Sequence, residues 1–410
     1  MSPDADATSS VGGTAAGGRH DRPGRGDDLQ PDVIEYPFGA VEAASVLSGL
    51  QDSWQSVAST ASLHRLGVRI GGVPVIIESA DAALLDRLRP ALAHHPRLDA
   101  GDRGGHDGGD GSDDDAGDAN DDAGRGVVTL RIWSLDAPGA VRPAMPPALV
   151  QRADASATGP GGSQVRARFD HANRALMAWD SASDVAWWCL ESMDGLEWWE
   201  EAAPFRPLLS WILPAHQRHF AHCAAVGSSD GAIVLVGPGG SGKSTTALAS
   251  HLDGMGYVGD DYCLITNDPV PVVHSLYGTA KVRIGESVES GPLASHMMRA
   301  TPPAGGKAVA LVTARDGAHL VASAPVAVVA AVSVGTDSRT RVYDATRAEV
   351  LAALAPNSLQ QLPGVTPASF TALSQLVRST PVCRIELGHD RDEVVAVVRA
   401  VLADPSMRRS

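Results

Sequence analysis

A glycine-rich segment with one lysine and one serine, GPGGSGKS at 237–244, contains the residue types that bind nucleotide phosphates. It fits the pattern G-x-x-x-x-G-K-[ST] in full. In such a loop the backbone N–H groups converge on phosphate oxygens, the lysine reaches the β- and γ-phosphates, and the hydroxyl holds Mg²⁺. The residues predicted to bind the nucleotide are Gly237, Pro238, Gly239, Gly240, Ser241, Gly242, Lys243, Ser244 and Thr245.

The segments that flank this loop match the context in which such loops bind phosphate. Residues 232–236 are an apolar run that predicts a buried strand, and residues 244–251 follow a helical pattern. A helix that begins at the loop adds a partial positive charge there. The alternative is a glycine turn that merely joins a strand to a helix, and it explains neither Lys243 nor Ser244.

Two adjacent acids and an upstream histidine could complete a phosphoryl-transfer site. Asp260 and Asp261 follow the predicted helix of the loop, and His222 precedes the predicted strand that leads into it. One carboxylate can hold Mg²⁺ and another can accept the proton of an attacking hydroxyl. Adjacent residues on a strand point to opposite faces, so different roles are expected unless a bulge intervenes. The alternative is a solvated pair in a turn.

His222, the loop at 237–244 and the pair Asp260 and Asp261 resemble the catalytic core of the HPr serine kinase/phosphorylase family. The resemblance covers about 190–380 in outline and is specific over 222–261. Two later segments, HSLYGTAK and a P-x-x-R-[IL]-E-L-G match, are similar to HPr-kinase-related proteins of bacterial peptide-modification clusters, including lasso-peptide kinases. The implied fold is α/β, a P-loop kinase core of the HPr kinase/carboxykinase-like type.

The resemblance implies a role for each residue of this set. Lys243 and Ser244 would bind the phosphates of ATP and Mg²⁺. Asp260 would be the base that takes the hydroxyl proton, oriented by His222. Asp261 would face the metal, although the division of roles between the two aspartates stays open. The segment E-I-R-G-L-G-I-I-N of HPr kinases is absent here, which argues against HPr as the acceptor and against the reverse phosphorolysis.

The chain is expected to contain two folded domains and three unstructured segments. A polar, glycine-rich tail at 1–28 and an acidic insert at 99–126 are predicted to be disordered. Residues 29–214 are predicted to form a Trp-rich α+β domain, since all eight tryptophans precede the loop. Residues 215–404 would be the HPr-kinase-like domain, and 405–410 a tail.

Hydrophobic periodicity predicts the elements that position these residues. Helices are expected at 40–50, 82–92, 197–214, 347–354, 368–377 and 392–402. Strands are expected at 127–133, 165–169, 175–179, 308–313, 326–334 and 383–387, with a hairpin at 64–78 around a Gly-Gly turn.

Composition excludes several classes of function. The chain has 410 residues and a net charge of −15, which disfavours general binding to nucleic acid or to an acidic membrane surface. No apolar run approaches the roughly 18 residues of a membrane span. Four scattered cysteines without a C-x-x-C pair indicate neither a disulfide framework nor a zinc site. These features predict a cytoplasmic protein, and the Arg bias suggests a bacterial source.

Lysine is rare, which draws attention to the few positions that retain it. The chain has only Lys243, Lys281 and Lys307, while arginine supplies the other basic residues. We expect Lys281 to lie near the transferred phosphate, where a compact ammonium could offset charge. Tyr277 and Arg283 could contact phosphate or peptide. A solvated basic edge is the alternative for these residues.

Three histidines, His216, His219 and His222, are spaced by three and could line one face of a helix. A zinc site there is a weak alternative, because no cysteine or acid clearly completes four ligands. A passage from helix into strand is favoured instead.

These observations predict an ATP- and Mg²⁺-dependent kinase that phosphorylates a serine hydroxyl of a peptide or small protein. One alternative is a small-molecule kinase on the same core, and another is a non-catalytic ATP-binding regulatory protein. A base such as Asp260 with His222 favours an enzyme, since a protein that only binds ATP needs no base. The acceptor and the oligomeric state stay open, with a homo-oligomer as one option.

Overall fold

The computed structural model describes residues 38–98, 126–152, 154–159, 162–283, 307–312, 319–361 and 366–404. The two expected tails and all of the expected acidic insert except Gly126 lie outside these ranges.

The described residues form a mixed α/β fold. The helices are α1 Ala40–Thr60, α2 Ala82–Leu88, α3 Pro147–Arg152, α4 Trp198–Ala202, α5 Arg206–Ala215, α6 Lys243–Leu252, α7 Arg347–Gln360, α8 Pro367–Ser379 and α9 Arg391–Ala403. The strands are β1 His64–Ile70, β2 Val73–Ser79, β3 Val128–Ser134, β4 Asp154–Thr158, β5 Gln164–Asp170, β6 Ala175–Asp180, β7 Val185–Leu190, β8 His219–Ala221, β9 Ala224–Ser228, β10 Gly231–Val236, β11 Gly256–Gly259, β12 Cys263–Thr266, β13 Val272–Ser275, β14 Thr279–Arg283, β15 Lys307–Leu311, β16 Ser323–Val334, β17 Arg341–Tyr343 and β18 Val382–Leu387.

The strands form two large mixed sheets and one small one. The first sheet has the order β1-β2-β3-β7-β6-β5-β4 and is antiparallel except at β2–β3 and β3–β7. The second follows β11-β9-β10-β16-β13-β12-β8, and β18 joins it between β16 and β17. Strands β14 and β15 pair separately. In the second sheet β16 is parallel to both β10 and β18, so three carboxyl ends lie at one edge.

Strand β10 lies inside the second sheet, between β9 and β16. Its sequence GAIVLV is almost wholly apolar, and five of its six residues are buried. A strand covered on both faces needs no polar alternation, which explains why the run is continuous. By contrast, β1 and β2 alternate in burial, as expected for a hairpin with one core face. Gly71 and Gly72, with φ of 57° and 88°, form the predicted turn.

The helix expected at 197–214 is wrong as a single element, because the structure divides it into α4 and α5. Phe205 has a left-handed φ of 58° between them. Pro204 disfavours the helical conformation at the residue before it and removes an N–H donor, which ends α4. Pro207 lies in the first turn of α5, where a missing N–H is tolerated. Helix α3 and strands β4, β7, β13, β14 and β17 were not predicted, whereas the other expected elements are present with shifted ends.

The two large sheets share one hydrophobic core. Side chains of β1, β2, β3, β6, β7, α2 and α5 pack with Phe220, Tyr262 and Leu264 of the second half. The expected domain boundary falls between α5 and β8, and this core continues across it. The residues described from Phe38 onward belong to one compact unit, and the division into two domains stays a prediction.

Most tryptophans belong to the core, as the sequence suggested. The buried ones are Trp54, Trp133, Trp179, Trp187, Trp188 and Trp211. Phe205, at the break between α4 and α5, packs edge-on against Trp188 with ring centroids 5.2 Å apart. Aromatic burial therefore stabilises the segment that joins the two halves. Within the described residues, no helix has both the length and the apolar character that a membrane crossing requires.

His95 connects the two halves and should make stability depend on pH. Its ring is 5% exposed, and Nε2 lies 2.9 Å from the carbonyl oxygen of Leu276. Burial lowers the pKa of His95 to about 4, although the bond to Leu276 opposes this shift. Between pH 6.5 and about 4, His95 is therefore mostly protonated in the unfolded chain and mostly neutral in the folded chain. His95 thus lowers stability as the pH falls through this range, by up to about 3 kcal/mol.

The variant His95→Gln keeps an N–H donor but does not titrate, so its unfolding free energy should rise relative to wild type as the pH falls. Glu200 and Asp260, whose pKa values are raised by burial to about 7 and about 6, act in the opposite direction. Their contribution cancels in the comparison of the two proteins. Urea denaturation at several pH values between 7 and 4 measures the difference. A difference that is independent of pH would contradict the prediction.

Candidate active site

The loop at 237–244 follows β10 directly and runs into the first turn of α6, as predicted. Gly240 and Gly242 have left-handed φ angles of 84° and 97°. A Cβ atom at Gly242 would collide with the Leu387 side chain on β18. Glycine is therefore required at 242 both for its backbone conformation and for the approach of the neighbouring strand.

The side chain of Lys243 lies across the loop. Its Nζ donates to the carbonyl oxygen of Gly237 at 2.6 Å and to that of Pro238 at 3.1 Å. Asn357 of α7 donates to the same Gly237 oxygen at 3.3 Å. Lys243 is only 6% exposed, and burial lowers its pKa despite nearby acids. No carboxylate among the described residues forms an ion pair with this ammonium, so its charge can act on an anion in the loop.

Three of the residues predicted to bind the nucleotide carry hydroxyl groups, and they lie in or just before the first turn of α6. Ser244 is half-buried in the first turn of α6, and Thr245 beside it is exposed. Ser241 is buried, and its Oγ has no hydrogen-bond partner in the described part of the chain. The residues predicted to bind the nucleotide therefore form one continuous stretch of chain, in which the Ser244 hydroxyl lies near Asp260.

Asp260 is buried next to Ser244 and is 3% exposed. Burial, together with Asp261, raises the pKa of its carboxyl to about 6, and the Ser244 hydroxyl opposes this shift. Neither carboxylate oxygen makes a hydrogen bond of normal geometry with the described residues. A buried carboxylate with two unsatisfied oxygens beside a hydroxyl suits Mg²⁺, which prefers oxygen ligands. Asp260 and Ser244 therefore fit the metal that this kind of loop implies.

Asp261 points in a different direction from Asp260. Its φ is 68°, a left-handed conformation that is unusual for a residue other than glycine. Its Oδ2 accepts a bond from Lys281 Nζ at 2.6 Å, and its Oδ1 lies 3.6 Å from Nδ1 of His222. Burial would raise the pKa of Asp261, but Lys281, His222 and Arg206 outweigh it and lower the pKa. Asp261 is thus a carboxylate at neutral pH.

His222 lies between β8 and β9. Its imidazole packs against the Tyr262 ring, and the two ring centroids are 5.6 Å apart. Its backbone N–H donates to Ser358 Oγ of α7 at 2.8 Å, which holds the segment in place. Burial lowers the pKa of His222, and Asp261 only partly offsets this effect. The imidazole is therefore neutral at neutral pH and can orient or share a proton with the neighbouring carboxylate.

The structure shows where these acids lie and which of them His222 contacts. They lie in a bend directly after β11, at the end of that strand, and the left-handed backbone of Asp261 separates the directions of the two carboxylates. The resemblance implied that His222 orients Asp260, whereas His222 contacts Asp261. The carboxylate that faces His222 thus belongs to the residue with the left-handed backbone, Asp261.

His216, His219 and His222, which could have lined one face of a helix, do not do so. His216 follows α5 and lies 3.5 Å from Asp184, while His219 is in β8. No group of three or more histidine, cysteine or acidic side chains in the described ranges is arranged to hold a metal ion. The passage from helix to strand that the sequence favoured is observed.

Lys281 lies in β14 and contacts Asp261 of the candidate site, and its expected place near the transferred phosphate stays a prediction. Tyr277 is buried, and its hydroxyl donates to Pro204, so it is part of the core. The side chain of Arg283 lies outside the described set. Sequence analysis missed Arg206 and Tyr262, because neither belongs to a recognisable motif.

Comparisons with known proteins yield little for this chain. No family model matches it, and no curated protein matches it. A solved structure, the HPr(Ser) kinase/phosphatase from Coxiella burnetii, matches with 12% sequence identity and a TM-score of 0.25. The match covers 44% of this chain and 87% of that one. At this TM-score the likeness supports no conclusion about family or activity.

Proposed function

We propose that this protein is an ATP- and Mg²⁺-dependent kinase that transfers a phosphoryl group to a serine hydroxyl of a peptide or small protein. The observation that carries the proposal is the convergence of three features at one place. These are the loop at 237–244, the acid pair Asp260 and Asp261, and the flanking His222 and Lys281. A site that only binds ATP needs neither a second carboxylate nor a histidine beside it.

In this proposal Asp260 serves the metal and Asp261 serves the acceptor. Asp260 is buried beside Ser244, the residue that the loop pattern assigns to Mg²⁺. When bound, Mg²⁺ neutralises charge on the phosphate oxygens. Asp261 contacts His222 and is deprotonated at neutral pH, so it can accept a hydrogen bond and then the proton from the attacking hydroxyl. This assignment reverses the roles that the resemblance implied.

Lys243 and Lys281 would each neutralise part of the negative charge on the phosphates, at two different places. Lys243 is held at the loop by Gly237 and Pro238, where the β- and γ-phosphates would lie. Lys281 is held by Asp261, near the place where the acceptor hydroxyl would attack. Cations on both sides of the breaking bond stabilise charge as it develops, which is the main task of a phosphoryl-transfer enzyme.

Mass spectrometry of serine-containing peptides incubated with the protein and Mg-ATP tests this function. We expect one phosphate to be added to a serine, and none when Mg²⁺ is chelated. The matched control is Asp253→Asn, a change of an exposed acid paired with Arg399, which should phosphorylate the same peptide at the wild-type rate. Transfer only to small hydroxyl metabolites would favour a small-molecule kinase. ATP binding without transfer to either class would favour a regulatory protein.

A further inference from the structure

Arg206 lies beside the candidate active site with few partners of its own. It is the first residue of α5 and is half-buried. Its Nη1 donates to Tyr262 Oη at 3.4 Å, and its guanidinium carbon lies 5.4 Å from the centroid of the Tyr262 ring. It forms no ion pair with any carboxylate of the described ranges. Most of its five N–H donors are therefore available to a ligand.

The charges around Arg206 leave it only partly neutralised. Burial would lower the pKa of Arg206, but Tyr262, Glu200, Tyr277 and Asp261 outweigh it and raise the pKa. Glu200 is itself buried, which raises the pKa of its carboxyl to about 7. Near neutral pH Glu200 is thus protonated part of the time. Asp261 is already bound by Lys281. Neither acid therefore supplies a full counter-charge to the guanidinium.

Arg206 reaches the edge of the site that contains His222 and Asp261. Tyr262 connects them, since one Tyr262 ring lies both under the guanidinium and against the His222 imidazole. The Tyr262 hydroxyl also donates to Gln361 at 3.3 Å, which holds the ring in place. The amine of Lys243, by contrast, is held within the nucleotide loop. Arg206 therefore lies on the side of the site that contains His222 and Asp261, where the acceptor would bind, and not at the nucleotide loop.

We propose that Arg206, held against the Tyr262 ring, forms with Lys281 a subsite for an oxyanion that the acceptor carries near its hydroxyl. The oxyanion is a carboxylate or a phosphate group, since the planar guanidinium can donate two parallel N–H bonds to either. Its capture would position the acceptor hydroxyl beside Asp261. This inference rests on the proposed kinase function and names a chemical requirement for the acceptor.

The subsite can be tested with simple anions before the acceptor is known. Inorganic phosphate and acetate are each titrated calorimetrically into protein saturated with Mg-AMPPNP, so that the nucleotide loop is already filled. We expect one of the two anions to bind wild type with a Kd in the millimolar range, which corresponds to a binding free energy of about −4 kcal/mol. Arg206→Gln should weaken this binding by about tenfold or more, and Arg206→Lys should weaken it less, because it keeps the charge without the planar fork. Arg399→Gln, which changes an exposed arginine, should bind as wild type does.

The anion that binds more tightly identifies the chemistry that the acceptor carries. Failure of both anions to bind wild type, or equal binding by wild type and Arg206→Gln, would overturn the subsite. Melting temperatures of both Arg206 variants check that they fold. Titration with Mg-AMPPNP alone tests the proposed function separately. If the nucleotide does not bind, the anion titrations are repeated without it, and the difference between wild type and Arg206→Gln still decides the subsite.

Discussion

Asp261→Asn should lower the rate of phosphoryl transfer by about 10²–10⁴-fold while Mg-ATP affinity stays near that of wild type. An amide at this place cannot take the proton of the attacking hydroxyl, and its NH₂ group would face Lys281, which now donates to Asp261. The change leaves Ser244 and Asp260 in place, so the metal side of the site is retained. Single-turnover transfer and nucleotide titration measure the two quantities separately.

Asp260→Asn should have the complementary effect. It removes a buried carboxylate beside Ser244 that would bind the metal. We therefore expect Mg²⁺ to increase ATP affinity less than in wild type, Mg-ATP to bind more weakly, and phosphoryl transfer to be lost. Without metal the variant should unfold at a higher temperature than wild type at pH 7, because burial disfavours the charged form of Asp260. Asp253→Asn is the matched control. Roles opposite to those proposed would appear as intact nucleotide binding in Asp260→Asn and impaired binding in Asp261→Asn.

Lys243→Met should weaken Mg-ATP binding by about 100-fold, a loss of about 3 kcal/mol, and should remove detectable turnover. Methionine fills much of the space of the lysine stem, so the variant loses the ammonium with little loss of packing. The ammonium now bonds to Gly237 and Pro238, and phosphate oxygens would replace these carbonyl groups as its partners. Equilibrium binding of a fluorescent ATP analogue measures the loss.

The control for this experiment is Arg399→Gln, which removes an exposed cation on α9 and should leave nucleotide binding unchanged. Circular dichroism establishes whether Lys243→Met keeps the wild-type helix content. Wild-type affinity and turnover in a folded Lys243→Met protein would refute the assignment of the loop at 237–244.

Local sequence rules predicted the parts of the site that lie close together along the chain. The strand, loop and helix around Lys243 follow from an apolar run, obligate glycines and a helical pattern, which are all short-range signals. The hairpin at Gly71 and Gly72 was predicted for the same reason. The break at Phe205 was missed because the periodicity of 197–214 favours one helix, whereas Pro204 and Pro207 interrupt it.

The sequence by itself determined which residue types are available for phosphate chemistry and where the loop that cradles a phosphate begins and ends. Only the tertiary structure decided how they combine. The left-handed backbone of Asp261 sends the two adjacent carboxylates to different partners. Pairing of β14 with β15 and packing of α5 on the shared core bring Lys281 and Arg206 to the site from distant parts of the chain. Such contacts depend on how whole sheets and helices pack, and no spacing along the chain encodes them.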